Sequence, residues 1–137
     1  MKMFTATALA LTLATGTAFA AAHSNAMVEA MDQDVSNGVV SADKVMATEN
    51  GWMVVHRTDA EMKPGPVVGY APLRAGENVD VAAILQEEVK SGDMLMLMVH
   101  SEEGGMKTGG FEYTLGAKED GPIKPDGKLG MTVITAE

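Results

Sequence analysis

The sequence predicts an all-β protein, an antiparallel β-sandwich of immunoglobulin or cupredoxin type with about seven strands. From Val39 onward, short apolar runs alternate with Gly, Asn, Asp and Pro turn signals every 8 to 15 positions or so. No segment in this region has the length and 3.6-residue period of a convincing long helix. The 137 residues include no cysteine, so disulfides are excluded and packing of a core must stabilise the fold.

The first twenty residues have the pattern of a secretory signal peptide. Lys2 supplies a positive start, an apolar stretch runs from residue 4 to about residue 15, and Ala18 and Ala20 are the small residues that a signal peptidase requires. We therefore expect cleavage near Ala20 and a periplasmic or secreted protein. No later segment approaches the roughly 18 apolar residues of a spanning helix, so we expect no membrane span.

The remaining chain is long enough for one domain with one modest core. We expect a flexible N-terminal tail over residues 21–37, because this stretch is small and acidic, and a β-sandwich domain over residues 38–137. Met27 and Met31 lie four positions apart, as in one turn of a helix, and a short helix is therefore predicted within the tail.

The charge balance limits the classes of partner. The chain has 10 basic and 19 acidic side chains, a formal net charge of −9, and loss of Lys2 with the signal peptide would make it −10. Such a charge disfavours nucleic acid and anionic lipid, and it is compatible with cations or a basic partner. We therefore expect a protein or small-molecule partner and no nucleic acid, while the sequence specifies no oligomeric state.

Turn signals divide the domain into seven predicted strands. Asn50-Gly51 predicts a hairpin turn between the first two strands, and Trp52, which follows it, is predicted to anchor the core. The predicted strands are residues 39–47, 52–56, 67–70, 79–85, 94–100, 111–115 and 129–135.

The strings NGWMVVH, PGPVVGY, VDVAAIL, LMLMVH and DGPI follow one another in this order, with an aromatic strand before the last. This order resembles a family of exported prokaryotic domains of unknown function, over residues 39 to about 135. The resemblance implies a β-sandwich on an exported or surface protein, and it supplies no catalytic residues. In the family's pattern an acidic residue often follows the second histidine by two positions, which here is Glu102.

The run MLMLMVH ends in His100 and alternates methionine with other apolar residues. Alternation places the methionines and His100 on one face of a strand, where thioether and imidazole groups are the ligands that copper accepts. Both faces of the strand are apolar, however, which is typical of a central strand buried on both sides. We favour packing, because methionine fills core gaps and the chain has only six aromatic residues.

A metal site within the domain would use His56 and His100, with Met98 and Glu102 as further candidate ligands. If each connection reverses the chain, the second and fifth strands run in opposite directions, and their histidine-bearing ends lie at opposite poles. We therefore expect the two histidines to be separate unless a crossover or a position inside a strand brings them together.

His23 is a further candidate ligand, created by processing. Cleavage before Ala21 would leave Ala21-Ala22-His23 with a free amine, two backbone amides and an imidazole, a planar nitrogen set that suits Cu(II) or Ni(II). Cleavage after Ala22 would destroy this site. The complete set of candidate metal ligands is thus His23, His56, Met98, His100 and Glu102. We expect no cofactor, with copper as the alternative.

Three functions remain open. We favour a non-enzymatic binding or accessory module of the cell envelope, because the sequence has no nucleophile motif, phosphate-binding loop or calcium loop. The alternative is a periplasmic copper-binding protein that uses Met and His ligands or the processed N-terminus. The third is a hydrolase that uses His100 with Glu102, for which the sequence offers no nucleophile.

Overall fold

The computed structural model describes residues 25–137, so the predicted signal peptide over residues 1–20 and the candidate ligand His23 lie outside the described residues. The described chain is all-β and antiparallel, and the predicted seven-stranded fold is confirmed. No helix in residues 25–137 is long and apolar enough to cross a membrane. The strands are β1 (Met27–Glu29), β2 (Val39–Ala47), β3 (Gly51–Thr58), β4 (Val67–Leu73), β5 (Gly76–Leu85), β6 (Met94–Ser101) and β7 (Met131–Thr135), with a 3-10 turn at Pro125–Gly127.

The seven strands form one sheet with the order β1-β2-β5-β4-β3-β6-β7. Only two residue pairs, Gly69 with Leu85 and Tyr70 with Ile84, join β4 to β5. The sheet is therefore folded at this corner into two layers, β1-β2-β5 and β4-β3-β6-β7. At the opposite corner β1 contacts β6 and β7, so the sheet nearly closes on itself and resembles a sandwich.

The predicted short helix at Met27 and Met31 is wrong. Residues 27–29 form β1, which pairs with residues 44–46 of β2 and alternates exposed, buried and exposed side chains. Val28 and Val35 are buried, and Gln33 forms a parallel bridge with Ala136. The described part of the predicted tail, residues 25–37, is thus packed at the corner where the two layers meet.

The predicted strand over residues 111–115 is also wrong. Both edges of β6 are already paired, one with β3 and the other with β7, so no neighbouring edge is left there for a further strand. Instead, the amide of Glu112 donates to the Asp120 side chain at 2.8 Å. Phe111 and Tyr113 point their rings onto a face of the sheet, and their segment has no ladder partner.

The central strands β3 and β6 are buried on both faces, as the apolar pattern of β6 predicts. On the inner face Met53, Val55, Leu95 and Leu97 belong to the main hydrophobic core between the layers. On the outer face Met96 and Met98 are also fully buried, although they lie outside that core. A second, smaller buried region therefore exists on the outer side of the β3-β6 pair.

Candidate functional site

The outer face of β3 and β6 carries both histidines of the described chain. Directly paired residues of antiparallel strands share a face, so the register of the pair identifies the side chains that point outward. These outward residues, in opposed pairs, are Trp52 and His100, Val54 and Met98, and His56 and Met96.

Residues 102–123, which we call the cover segment, lie over this face. The segment leaves the end of β6 and returns along it, where the Ser101 amide donates to the Gly121 carbonyl at 2.9 Å and the Ile123 amide to the Val99 carbonyl at 3.1 Å. Between these points it has no regular structure. The cover segment is what makes the outer face of the sheet a buried environment.

Aromatic contacts fasten the cover segment to the sheet. The ring of Trp52 meets those of Tyr70 and Phe111 edge-on, with centroids 5.7 and 5.5 Å away, and Tyr70 stacks on Phe111 at 4.3 Å. The indole nitrogen of Trp52 donates to the Glu102 carboxylate at 2.6 Å. Trp52 thus anchors the cover segment rather than the main core, which corrects the prediction made from its place after the turn.

His56 and His100 meet beneath the cover segment, with their Nε2 atoms 3.3 Å apart. Both side chains are fully buried. His100 lies opposite Trp52, four positions along the register from His56. Rings on residues so far apart can meet only if each side chain leans along the sheet toward the other.

The expectation that the histidines would be separated is wrong, although its premise is right. Strands β3 and β6 are antiparallel, but they are direct neighbours in the sheet. His56 lies inside β3 and not at its end, because the strand continues to Thr58. His56 therefore occupies the position inside a strand that a shared site requires.

The Nδ1 atoms fix the protonation pattern of the rings. His56 Nδ1 donates to the Gly65 carbonyl at 2.9 Å, and His100 Nδ1 donates to the Asp120 carbonyl at 2.6 Å. A carbonyl oxygen only accepts, so each neutral ring carries its one proton on Nδ1. Both Nε2 atoms then present lone pairs to each other, and the contact between them is not a hydrogen bond while both rings are neutral.

Burial keeps both rings neutral near pH 7. It lowers the pKa of His100 to about 4, opposed by the bond to the Asp120 carbonyl and assisted by the neighbouring His56. Burial also lowers the pKa of His56, against the effect of the Gly65 carbonyl. The two Nε2 lone pairs are therefore unprotonated and convergent, in a region without exposed surface.

Asp120 adds a buried acidic group beside the pair. Its side chain is 1% exposed, and Oδ1 has no hydrogen-bond partner among the described residues. Burial raises the pKa of the carboxyl group, bonds from the backbone lower it, and the nearby charges of Glu102 and Glu112 raise it further. The residue whose carbonyl orients His100 thus also carries a buried carboxyl group with one unpaired oxygen.

The other candidate ligands have different positions. Met98 lies on the same face as the pair, opposite Val54. Glu102 is bound elsewhere, because its oxygens accept from the Trp52 indole and from the Gly109 amide at 3.0 Å. Within residues 25–137, no three His, Asp or Glu side chains cluster as a metal site. A metal ion would therefore need a thioether, water or exogenous donor besides the two imidazoles.

An open groove adjoins the buried pair. It encloses about 420 Å³ and is lined by Pro66, Tyr70, Phe111, Tyr113 and Leu115, among others. The ring of Tyr113 also meets His100 edge-on, with centroids 4.5 Å apart. Tyr113 therefore separates the histidine pair from the groove.

These features define a small all-β, sandwich-like domain with two histidines held between its sheet and a cover segment. A family model described as a domain of unknown function (DUF7282) matches residues 26–137. The protein belongs to this family, and the resemblance to an uncharacterised family is confirmed. No curated protein matches the chain, and no solved structure matches it.

Proposed function

We propose that the protein is an exported, non-enzymatic binding module that holds one copper ion between His56 and His100. The predicted signal peptide would take it to the periplasm or the cell exterior. The acidic balance of the chain, with a formal net charge of −9, favours the approach of cations and disfavours nucleic acid.

The proposal is carried by the 3.3 Å contact between two Nε2 atoms whose rings both donate through Nδ1. The ring nitrogens make three contacts, two with carbonyls and one with each other. Three hydrogen bonds would need three protons, but two neutral rings supply only two, so the contact between the Nε2 atoms needs an electron-pair acceptor or an additional proton. Metal-bound histidines usually donate a hydrogen bond from the N–H of the other ring nitrogen to a carbonyl or carboxylate, which orients the ring. A metal ion between the Nε2 atoms would satisfy both lone pairs without adding a proton.

A binding role fits the surroundings better than catalysis does. His100 contacts the Asp120 carbonyl and His56, so neither of its ring nitrogens is oriented by Glu102 as the hydrolase hypothesis requires. Both rings are fully buried, and the Tyr113 ring lies between them and the groove. This arrangement favours retention of an ion over turnover of a substrate.

Copper titration of histidine variants tests the proposal. His56→Asn and His100→Asn keep an amide donor near the place of Nδ1 and remove Nε2. All proteins would carry His23→Ala, which eliminates the separate candidate site at a processed N-terminus. We expect one equivalent of copper in the parent and a loss of affinity of about 100-fold or more in either asparagine variant, as measured by competition with a chelator.

Far-ultraviolet circular dichroism and thermal unfolding of each variant serve as the control for folding. A parent protein that stays metal-free in excess copper would refute the proposal. Equal affinity in the parent and in folded asparagine variants would refute it too, because the ion would then be bound elsewhere.

The groove beside Tyr113 favours a second candidate, the binding of a small aromatic molecule or of a partner's aromatic side chain. Its volume of about 420 Å³ lies in the range of ligand pockets, and Tyr70 and Phe111 offer stacked rings at its wall. Titration with indole, followed by NMR, should shift the resonances of Tyr70 and Phe111. Unchanged spectra at millimolar indole would exclude this use of the groove.

A further inference from the structure

We infer that the ion at this site is Cu(I) and that the thioether of Met98 is its third ligand. This inference rests on the proposed function and specifies the oxidation state and ligand set of the same site. It follows from the spacing of the nitrogens, the register of the strands and the charge of the surroundings.

The nitrogen spacing favours a tetrahedral or trigonal copper geometry over a linear or square-planar one. With metal-nitrogen bonds of about 2.05 Å, an Nε2 separation of 3.3 Å corresponds to an angle of about 107° at the metal. A linear two-coordinate ion would require a separation of about 4.1 Å, and adjacent ligands of a square-planar Cu(II) would lie about 2.9 Å apart. The observed spacing fits trigonal or tetrahedral coordination, which calls for at least one further donor.

The register places Met98 where that donor is needed. The histidines occupy the residue pairs on either side of Val54 and Met98, and their rings lean toward this middle pair. Met98 shares their face and is fully buried. Met96 shares the face too, but it lies opposite His56, on the side from which the His56 ring leans away.

The charge of the surroundings favours a monovalent ion. The cost of burying an ion rises with the square of its charge, so a divalent ion pays about four times the desolvation penalty of a monovalent one. His56, His100 and Met98 are all neutral donors and fully buried. Asp120 contacts His100 through its backbone carbonyl and not through its carboxylate. Thioether donors also select Cu(I) over harder divalent ions.

A methionine-to-leucine pair of variants tests this inference in the His23→Ala background. Met98→Leu removes the sulfur from the middle pair, and Met96→Leu is the matched control on the same strand and face. Leucine nearly matches the volume of methionine, and cores tolerate such exchanges well, so both variants should fold. Cu(I) affinity would be measured anaerobically against a colorimetric Cu(I) chelator, and Zn(II) affinity against a Zn(II) chelator.

We expect Met98→Leu to weaken Cu(I) binding by about tenfold or more, and Met96→Leu to change it by less than about twofold. Zn(II) should bind more weakly than Cu(I) to the parent and equally to both variants. X-ray absorption at the copper edge should show a sulfur neighbour in the parent and in Met96→Leu, and none in Met98→Leu.

The outcomes separate the two claims. Tighter binding of Zn(II), unchanged Cu(I) affinity in Met98→Leu, or a larger loss in Met96→Leu would overturn the Cu(I) and Met98 assignment while the histidine site survives. Failure of His56→Asn and His100→Asn to change the binding of any metal would overturn the proposed function itself.

Discussion

At the scale of single residues, the main feature is the pairing of two buried imidazoles through their unprotonated nitrogens. The sequence supplied the candidates His56, His100 and Met98, because these are the residue types that bind copper. It could not supply the Gly65 and Asp120 carbonyls that orient the rings, since a backbone carbonyl carries no signature of residue type. It also placed Glu102 in the ligand set, although this carboxylate binds the Trp52 indole.

The buried state of His100 predicts a pH dependence of stability in the metal-free protein. Its folded-state pKa of about 4 lies below the ordinary value of 6.5, so the unfolded chain binds the proton more tightly. Above pH 6.5 the titration of His100 does not lower the free energy of unfolding. As the pH falls from 6.5 toward 4, this free energy decreases by a total on the order of 3 kcal/mol. The lowered pKa of His56 also makes the protein less stable as the pH falls. The raised pKa of Asp120 has the opposite effect, because the folded protein binds that proton more tightly than the unfolded chain.

Urea unfolding with a metal chelator present, between pH 7 and pH 4, measures this effect. His100→Asn should show a shallower loss of unfolding free energy in this range, because one titrating group is gone while the bond to the Asp120 carbonyl is kept. Identical slopes in the parent and the variant would contradict the assignment of the loss to His100.

At the scale of elements, the contrast lies between β6 and the cover segment. The two-sided apolar pattern of β6 predicts its burial on both faces, because periodicity reports which faces avoid water. The same rules predict a strand over residues 111–115, and they fail there because pairing depends on which sheet edges are free. A single sequence does not reveal that β3 and β7 occupy both edges of β6.

The carboxylate of Glu102 should determine how firmly the cover segment is held. It accepts from the Trp52 indole at 2.6 Å and from the Gly109 amide at 3.0 Å, and bonds to a charged group are worth about 1.5 to 3 kcal/mol each. Glu102→Ala should therefore speed hydrogen exchange in the cover segment about tenfold or more and leave β6 protected. Glu103→Ala is the matched control, with the same change of charge at an exposed neighbour. Equal exchange in the two variants would show that the aromatic contacts suffice.

At the scale of the whole molecule, the predicted fold class and antiparallel arrangement are confirmed, because turn signals and alternating apolar runs are local properties. The number of strands also agrees, but only because β1, which was not predicted, replaces the predicted strand over residues 111–115. The closing of the sheet depends on contacts between distant parts of the chain. The Asp32 carboxylate accepts from the Thr135 amide at 2.7 Å, and the Glu137 amide donates to the Gln33 carbonyl at 2.9 Å. Residues 21–37 are mostly small or acidic, and nothing in this composition indicates these hydrogen bonds.

Truncation compares the predicted tail with the packed segment. A chain that begins at residue 38 loses the buried side chains of Val28 and Val35, each worth about 1.5 kcal/mol or more. It should therefore unfold at lower urea than a chain that begins at residue 25, with a difference of about 3 kcal/mol or more. Equal midpoints for the two chains would mean that residues 25–37 contribute nothing to stability, as a flexible tail would.

Because the histidine pair lies on the outer side of the sheet, it can be replaced without changing the main core. The main core lies on the other side of β3 and β6 and contains neither His56 nor His100. Both Nδ1 partners belong to connections, Gly65 before β4 and Asp120 in the cover segment. A protein engineer could therefore replace these two connections and the outward side chains of β3 and β6 as one cassette, and give the same scaffold a different specificity.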